Sequence, residues 1–571
     1  MRAFGGKSFH QMLFFLNDFL NKMTTTTKKT LFSVATMAVL TLAGCSGNDY
    51  ASESTGQERV TDTQGLTAFG TGTSVAPATR TSMGYTSGDG FKFFWEDGDA
   101  VYAIDDNGTV QRSKVLSLSN RVRLATFYLP GTYAKNIYKV YYTGTNSTVH
   151  DKVTIAAVQN QERPGSSVHL GTDGDCGVAI SKQTNGHFDF NLDHKSAYLC
   201  LLPFMRNHAL GQNVYLQKIE VLSKNTYIAG TYNFDDDGGL SSPVNASQTI
   251  TMKVGTGNGI RLTNTTPSLA DNSYYVVMAP GRHSLTIRYW IYDPVTRVGG
   301  AVTKTLDTKD YSDGWVDTLH ADLSVTDYPS DRYYMWDAKA GCHYWKGYEG
   351  VQPYLNEMAN PNCAKLASDE RFYNLDYNTN EAYRSALGTP NINELSWYVW
   401  KGRPHWDGDL MWSQFDHLYK GGMWFMKKQY IRGFNAEGYI TASGYKQDYR
   451  NQIKWRAKPG EDFSSRDPNT VWIEGNSIWK VTPEQGQPGD SARYFFLPAA
   501  GYYDVGKLLF NTPEYSGAYW SSTGISEKFY EYGTVTIEHG VAFSLHFSRE
   551  YVGIECDNRN YGYLVTPDWF K

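Results

Sequence analysis

The sequence predicts a mainly β protein, in which two β-sandwich domains are followed by an α+β domain. Up to about residue 325, short alternating segments are separated by Gly, Asn and Asp clusters, a pattern typical of sandwich strands. Tryptophan usage then changes, because of the 15 tryptophans only Trp95, Trp290 and Trp315 precede residue 331. Apolar residues at helical spacing also become evident beyond this point. These changes indicate a new type of domain from about residue 331.

Residues 1–45 have the features of a signal peptide with a lipobox. Lys28 and Lys29 precede an apolar run, LFSVATMAVLTL, which is shorter than the ~20 residues of a membrane helix. Leu42-Ala43-Gly44-Cys45 then matches a bacterial lipobox, in which the thiol of Cys45 receives a diacylglycerol. The alternative is an ordinary secretory cleavage beside an incidental cysteine. Met23 begins a normal basic region, so residues 1–22 are expected to be an overextended gene start.

Composition limits the partners. After Leu42 no apolar run approaches the ~20 residues of a membrane helix, so we expect attachment to a membrane through lipid alone. A formal charge of −5 and a pI near 6.2 argue against nucleic acid, which usually requires a basic surface.

Turn and strand signals divide the mature chain into four parts. Residues 81–327 are longer than the ~100 residues of a typical sandwich, so two sandwiches are expected. Thr326–Arg332 (TDYPSDR) is expected to be a linker. The four parts are a leader with a first strand at Leu66–Phe69 (46–80), an N-terminal sandwich (81–206), a second sandwich (207–327) and the α+β domain (331–571).

Three stretches of the first half resemble the fimbrillin family, the lipoprotein subunits of Bacteroidales type V pili. They are ATRTSMGY (Ala78–Tyr85), FFWEDGDAVYAID (Phe93–Asp105) and FDFNLDHKSAYLCL (Phe188–Leu201). The resemblance implies that both sandwiches are transthyretin-like. Trp95 precedes a Gly-Asp turn into a strand, and His194 is expected to be a hydrogen-bonded histidine of the sandwich.

The resemblance also implies an assembly mechanism. Fimbrillins are cut after a basic residue, which releases an N-terminal strand, and the strand of a neighbouring subunit such as a stalk pilin fills the groove. Arg80 follows the predicted first strand and is the preferred cleavage site, with Arg59 as the competitor. The alternative is that both are ordinary solvated arginines. Because the chain continues beyond the sandwiches to residue 571, it resembles a tip subunit more than a stalk subunit.

The last part of the chain combines helix and strand signals. Asn391 is expected to cap a helix that runs to Trp400, and a second helix is expected within Asp409–Tyr430, with Gly421-Gly422 as its stop. Leu497–Gly501, Tyr519–Thr523 and the Arg559-x-x-Gly562 approach to the last strand resemble C-type-lectin-like domains. That resemblance implies a fold and a ligand-binding head, without naming the ligand.

Two polar clusters are candidates for ligand binding in this head. An exposed Trp406 would stack on a sugar face, with Asp407 and Asp409 accepting hydrogen bonds from its hydroxyls. The second cluster is Asp557-Asn558-Arg559, followed by Asn560. The alternative is that most tryptophans fill the core, as expected for Trp397, Trp400, Trp412 and Trp424 from their helical spacing. The ligand would be a host or bacterial surface glycan or protein.

No metal or cofactor is predicted. Asp467-Pro468-Asn469 and Thr389-Pro390-Asn391 are similar to one calcium motif of animal lectins, but the accompanying Trp-Asn-Asp does not occur. His405 and His417, with Asp407, Asp409 and Asp416, are not spaced to converge on an ion. Calcium binding therefore stays a secondary possibility.

Five cysteines remain after Cys45, and their pairing stays open. Cys342 and Cys363 enclose a short segment and could pair in an oxidising compartment. The others are Cys176, Cys200 and Cys556. Catalysis is not expected, because the formylglycine-generating enzymes, which are distantly akin in fold, need reactive cysteines late in the domain and only Cys556 lies there.

Together these features predict a lipid-anchored fimbrial subunit at the cell surface, most consistent with a pilus-tip adhesin. The alternative is a non-polymerising lipoprotein that binds glycan at the cell surface and keeps its anchor.

Overall fold

The computed structural model describes residues 63–71, 82–86, 90–145, 147–356, 359–376, 380–440, 444, 446–456, 471–474, 477–509, 516–525, 529–531, 534–536 and 540–571. Strands make up 45 % of the structure and helices 7 %, which confirms the mainly β prediction. The predicted lipidation site Cys45, the cleavage candidates Arg59 and Arg80, and the calcium candidate at residues 467–469 lie outside the described residues.

The first part of the described chain is built from short strands and two one-turn helices, Leu170–Asp173 and His208–Gly211. The strands are β1 (Thr67–Thr71), β2 (Ser82–Thr86), β3 (Gly90–Phe94), β4 (Tyr102–Ile104), β5 (Val110–Arg112), β6 (Thr126–Leu129), β7 (Ile137–Tyr142), β8 (Lys152–Ile155), β9 (Val158–Gln161), β10 (Gly177–Thr184), β11 (His187–Phe190), β12 (Asp193–His194) and β13 (Ala197–Phe204).

The middle part consists of strands that run up to the predicted linker. They are β14 (Tyr215–Ser223), β15 (Ala229–Phe234), β16 (Leu240–Ser247), β17 (Thr249–Val254), β18 (Ile260–Arg261), β19 (Tyr274–Met278), β20 (Gly281–His283), β21 (Leu285–Asp293), β22 (Val298–Thr305), β23 (Lys309–Tyr311), β24 (Val316–Asp322) and β25 (Thr326–Asp327).

The last part, which we call the head (residues 328–571), adds two α-helices, Ile392–Lys401 and Tyr449–Gln452. Its 3₁₀ turns are Ser330–Arg332, Glu349–Val351, Lys428–Tyr430 and Ser491–Arg493. Its strands are β26 (Tyr333–Tyr334), β27 (His405–Gln414), β28 (His417–Met426), β29 (Tyr439–Ile440), β30 (Lys446–Gln447), β31 (Ile453–Arg456), β32 (Val471–Glu474), β33 (Ser477–Val481), β34 (Glu484–Gln485), β35 (Tyr494–Pro498), β36 (Tyr502–Asp504), β37 (Lys507–Leu509), β38 (Gly517–Ile525), β39 (Phe529–Glu531), β40 (Thr534–Thr536), β41 (Val541–Phe547), β42 (Val552–Asn558) and β43 (Tyr563–Leu564).

The N-terminal sheet has the strand order β5-β4-β7-β10-β11-β1-β6, with β12 paired to β10. Alternate residues of these strands point to one core, in which Phe69, Trp95 and Phe127 are fully or almost fully buried. The turn predicted after Trp95 is present, and Gly98 adopts a positive φ of 85° in it. The first strand, β1, lies between β11 and β6 in this sheet.

The middle unit is made of three further sheets, and the sequence-based boundary near residue 207 is wrong. The orders are β22-β21-β14-β17-β9 with β18 on β14, β19-β13-β24, and β16-β15-β8. Strands β8, β9 and β13 lie before residue 206 but pair with strands from beyond it. All eight residues of β13 are buried, since it has a neighbour on each side and is covered on both faces. Segments that precede residue 206 therefore belong to the middle unit, so the two units are not consecutive in sequence.

The head contains two main sheets with the helix Ile392–Lys401 beside them. The orders are β25-β27-β28-β35 with β34 on β27, and β26-β43-β38-β41-β42-β33. Strand β43 pairs with β26, so the end of this domain returns to its beginning. The predicted linker is not free of the sheets, because Thr326 and Asp327 form β25 and pair with β27.

One of the two predicted head helices is confirmed and the other is wrong. Asn391 caps the helix Ile392–Lys401 in a capping box with Glu394. Asp409–Tyr430, in contrast, belongs mostly to the β27–β28 hairpin, whose two-residue turn Phe415-Asp416 has positive φ at both positions. The Gly421-Gly422 pair lies inside β28, so it is not a helix stop. Gly422 leaves room for the Phe496 ring of β35, from which an added Cβ would be only 2.3 Å away.

The five described cysteines are all unbridged, including Cys342 and Cys363, so the considered disulfide is not formed. Burial raises the pKa of the Cys556 thiol well above its usual range, which keeps the thiol protonated. In the described part of the chain, no helix has both the length and the apolar character needed to cross a membrane.

The β27–β28 hairpin joins the head to the middle unit. Met411 and Leu418 leave the head and belong to the core cluster of the middle unit. The buried Asp293 carboxylate is 2.9 Å from Nδ1 of His417 and accepts a hydrogen bond from the Leu418 N–H at 3.0 Å. Thr296 Oγ1 donates to the Leu418 carbonyl at 2.7 Å. Apolar burial and hydrogen bonds thus act at the same junction.

Replacing Asp293 by Asn is expected to lower the melting temperature of the protein at pH 6. The free energy of unfolding should fall by about 1.5–3 kcal/mol, because a hydrogen-bonded carboxylate is lost. Burial alone would raise the pKa of Asp293, but hydrogen bonds from His417, Leu418 and Val295 outweigh it and hold the pKa below its usual range. The stabilisation is therefore present above the unfolded-state pKa and is lost as the pH falls through the folded-state pKa.

Calorimetric melting of the wild type and the variant from pH 6 down to pH 3 measures this effect. The difference between the two proteins should shrink as the pH falls. An equal melting temperature at pH 6 would contradict a stabilising role for this carboxylate.

Candidate functional site

The first strand lies inside the N-terminal sheet rather than on its surface. Strand β1 runs parallel to β11 on one side and antiparallel to β6 on the other. The hydrogen bonds of β1 continue to Ala125, the residue before β6. The Thr71 N–H donates to the Ala125 carbonyl at 3.0 Å, and Thr71 Oγ1 accepts from the Ala125 N–H at 2.9 Å. The predicted first strand is therefore present, and two neighbours depend on it.

Phe69 is the anchor of this strand. It is 0 % exposed, and its ring stacks on Phe188 with a centroid distance of 4.7 Å. The rings of Tyr133 and Tyr138 make T-shaped contacts with it, at centroid distances of 5.1 Å and 6.4 Å. Without β1, this aromatic pocket and the backbone groups of β6 and β11 would form an open groove, which we call the β1 groove.

The predicted cleavage sites flank β1 in sequence, although Arg59 and Arg80 themselves lie outside the described residues. The next described element after β1 is the β2–β3 hairpin. Phe93 of β3 stacks on the ring of His194 with a centroid distance of 4.2 Å. The chain on the far side of Arg80 therefore has contacts of its own with the body of the protein.

His194 is the hydrogen-bonded sandwich histidine that the sequence predicts. It is buried, and its Nδ1 lies 2.7 Å from Oδ1 of Asp175. The Tyr198 hydroxyl donates a short hydrogen bond to the same carboxylate oxygen. Burial and the nearby Asp175 charge raise the pKa of Tyr198 well above its usual range, so its hydroxyl stays a donor.

Trp406 is not an exposed platform, so its predicted role in stacking on a sugar is wrong. Its side chain lies on β27 in the main core of the head, and the residue is only 6 % exposed. Two glycines face the indole, because a Cβ on Gly408 would lie 3.1 Å from Nε1 and one on Gly421 would lie 3.2 Å from Cζ2. The absence of side chains at these glycines gives the ring its space.

Asp407 and Asp409 occupy different surroundings. Asp407 is buried at a bulge in β27, where its Oδ1 accepts from the N–H groups of Asp409 and Leu410 at 3.2 and 3.1 Å. Its Oδ2 accepts from Trp424 Nε1 at 3.2 Å. Asp409 is exposed on the same bulge. The first predicted cluster therefore keeps one accessible carboxylate, and Asp407 shapes the bulge that presents it.

The second predicted cluster is also divided by burial. Arg559 is 0 % exposed and lies over the Trp336 ring at 4.1 Å. Its guanidinium donates to the backbone carbonyls of Asn374 (3.1 Å), Asp376 (3.2 Å), Ile525 (3.2 Å) and Val541 (3.3 Å). Arg559 thus ties together separate loops of the head and acts on structure rather than on a ligand.

Asn558 is exposed and lines a small cavity of about 170 Å³. The cavity is lined by Tyr373, Gly540, Asn558, Arg559 and Asn560. It is smaller than the ~300–1,000 Å³ that drug-sized ligands occupy. Asp557, the third member of the cluster, is buried and accepts a hydrogen bond from Ser544 Oγ at 2.5 Å.

The side chains of the calcium candidate at Thr389-Pro390-Asn391 make local hydrogen bonds at the start of the helix Ile392–Lys401. The Asn391 side-chain oxygen accepts from the Glu394 N–H at 3.0 Å, and Thr389 Oγ1 donates to the Ala386 carbonyl at 2.8 Å. His417 contacts Asp293, while His405 Nε2 lies 3.6 Å from a carboxylate oxygen of Glu484. His405 and His417 therefore contact different carboxylates, Glu484 and Asp293.

The comparisons with known proteins find neither a matching family model nor a matching curated protein. Among solved structures, the chain is similar to a candidate cell adhesion protein from Bacteroides uniformis, with 13 % identity, a TM-score of 0.27 and coverage of 45 % of this chain and 95 % of that one. For a candidate cell adhesion protein from Bacteroides ovatus, the identity is 12 % and the TM-score is 0.26, with coverage of 42 % of this chain and 88 % of that one.

The fimbrial anchor protein Mfa2 from Porphyromonas gingivalis gives 11 % identity, a TM-score of 0.19 and coverage of 43 % of this chain and 83 % of that one. These similar structures are described as cell adhesion and fimbrial proteins. At TM-scores below 0.5 the likeness carries no argument about the activity of this chain.

Phe69→Ala should lower the free energy of unfolding of the N-terminal unit by about 3–5 kcal/mol, because a fully buried ring is removed from a packed core. Thr67→Ala on the same strand is the control and should cost less, since Thr67 is only partly buried. Urea denaturation followed by fluorescence measures both changes. A loss for Phe69→Ala no larger than that for Thr67→Ala would contradict the anchoring role of this ring.

Trp406→Ala should destabilise the head by about 3–5 kcal/mol, because the indole is part of its core. Asp409→Ala, three residues along the same strand, removes an exposed side chain and should change stability by no more than about 0.5 kcal/mol. Thermal melting of the two variants compares them directly. Unchanged stability of Trp406→Ala would restore the interpretation of this residue as an exposed ligand contact.

Proposed function

We propose that the protein is a fimbrial subunit of the bacterial surface whose first strand is released by proteolysis and replaced by the strand of another subunit. The observation that carries this proposal is the position of β1, an N-terminal strand with neighbours on both sides and one deeply buried anchor, Phe69. Cleavage after Arg80 would separate β1 from everything that follows it in the chain.

The groove left by β1 has defined requirements for an incoming strand. The strand must run parallel to β11 and antiparallel to β6, since these are the directions that satisfy both rows of backbone groups. It must also place an apolar side chain between Phe188, Tyr133 and Tyr138, where Phe69 lies in the intact chain. Backbone hydrogen bonds supply affinity and the aromatic pocket supplies the register.

The position of β43 favours a tip subunit over a stalk subunit. A strand that is donated to a neighbour has to leave its own sheet. Strand β43 lies between β26 and β38 in the larger sheet of the head, so its release would open the head. A subunit that accepts a strand and donates none ends a polymer, and we propose that the head is then its exposed, ligand-binding end.

The remaining parts of the proposal concern delivery and ligand. A lipid on Cys45 would carry the protein to the outer membrane, and removal of residues 1–80 would detach it. The head would bind a surface glycan or protein through exposed groups such as Asp409 and Asn558, without catalysis. The opposite arrangement, in which β1 and the lipid are retained, corresponds to a non-polymerising glycan-binding lipoprotein.

An Arg-specific protease tests the release of β1. We expect a new N-terminus at Thr81 in the wild-type protein and in Arg59→Ala, whereas Arg80→Ala should keep residues 60–80 attached. The cleaved remainder should stay compact after β1 has been washed away in mild denaturant, and should then bind a synthetic peptide of residues 63–75.

A peptide that carries Phe69→Ala should bind the cleaved protein at least tenfold more weakly, because it lacks the anchor of the pocket. A purified stalk pilin should compete with the wild-type peptide. If cleavage leaves β1 in place, or if the remainder binds neither peptide nor pilin, strand exchange is wrong and the anchored glycan-binding lipoprotein becomes the better description.

A further inference from the structure

His546, Glu555 and Asp557 form a further polar cluster on β41 and β42, which shares only Asp557 with the clusters predicted from the sequence. It lies on the face of the larger head sheet that is turned away from the main core. Phe543, Leu545 and Phe547 of β41 belong to the main core. The residues that alternate with them therefore point to the other face, including Ser544 and His546. On β42, Glu555 pairs with Ser544 and Asp557 pairs with Ala542, so both carboxylates emerge on that same face.

The imidazole of His546 lies between these carboxylates. Its Nε2 is 2.9 Å from Oδ2 of Asp557, and its Nδ1 is 3.9 Å from Oε2 of Glu555. One ligand atom from each of the three residues can be chosen so that all three lie within 4.8 Å of one another. The side chains of His546, Asp557 and Glu555 are only 7 %, 8 % and 14 % exposed.

Neighbouring groups hold the cluster in place, and Lys480 lies on its solvent side. The Ser544 hydroxyl donates to Oδ2 of Asp557 and fixes the orientation of that carboxylate. The ring of Tyr563 lies 5.1 Å from the ring of His546 and forms a wall of low polarity. On the solvent side, Lys480 Nζ lies 3.4 Å from a Glu555 oxygen, and its side chain is 46 % exposed.

We propose that His546, Glu555 and Asp557 form a binding site for a divalent transition-metal ion of the zinc type. One imidazole nitrogen and two carboxylate oxygens are a donor set that zinc accepts, at about 2.0–2.2 Å for each bond. Calcium fits the site poorly, since it takes about six to eight oxygen ligands.

Binding requires only local movement of side chains. The ligand atoms would have to approach one another to roughly 3.5 Å, the spacing that tetrahedral bonds of about 2.1 Å impose. Asp557 and His546 are already within that distance. Glu555 would turn its carboxylate inward and release Lys480 and the Tyr551 hydroxyl, which hydrogen-bonds to it. Lys480 can move into solvent because its side chain is about half exposed.

The ion would join two antiparallel strands and would keep a coordination position towards the solvent. A site with three protein ligands leaves its fourth position to water or to an oxygen of another molecule. An oxygen donor such as a carboxylate or hydroxyl of another molecule is a chemical class that zinc accepts at this position. This inference does not depend on strand exchange in the N-terminal unit.

Isothermal titration of the chelator-treated full chain with zinc chloride tests the proposal. We expect one zinc per chain, with affinity reduced at least tenfold in Asp557→Asn and in Glu555→Gln. Cobalt added in place of zinc should give visible d–d absorption that disappears in His546→Gln. Calcium should give no saturable signal.

His343→Gln is the matched control, because Nε2 of His343 lies 3.2 Å from a Glu349 oxygen in a pair outside the proposed three-residue site. This variant should bind zinc like the wild type. Glu555 is the least buried of the three ligands, so Glu555→Gln keeps the test valid if the other variants do not fold. Absence of stoichiometric zinc binding, or binding that survives Glu555→Gln unchanged, would overturn the proposal.

Discussion

The packing of Phe69 against Phe188, Tyr133 and Tyr138 is the contact on which the N-terminal sheet depends. It fixes the register of β1, and β1 in turn completes both β6 and β11. A side chain from the leader thus finishes a core that the rest of the chain begins. The proposed assembly mechanism uses this incompleteness, because a groove with a single aromatic pocket accepts one strand direction and one register.

Local patterns were reliable where a single element determines the outcome. The first strand, the turn after Trp95 and the capped helix at Asn391 all follow from neighbouring residues, whose turn, capping and alternation preferences act over a few positions. Partnership between strands is different, since β8, β9 and β13 look like any other strand in sequence. Only pairing across long separations assigns them to the middle unit.

The candidate site was predicted less well because burial is a property of the whole fold. Trp406, Asp407 and Asp409 form a polar-aromatic loop in the sequence, but the fold of the head buries the first two and exposes only the third, which lies on the β27 bulge. The helix predicted within residues 409–430 was wrong because Trp412 and Trp424, which fit a helical spacing, lie on the two paired strands β27 and β28. His546 passed unnoticed because its partners, Glu555 and Asp557, reach it only through strand register.

The insertion of the β27–β28 turn into the middle unit has a mechanical consequence. Met411 and Leu418 are buried outside their own domain, and Asp293 holds the backbone of that turn. A tensile load on the head would therefore have to break both apolar contacts and hydrogen bonds at this junction. Torque on the head would pass into the sheets of the middle unit through these same contacts.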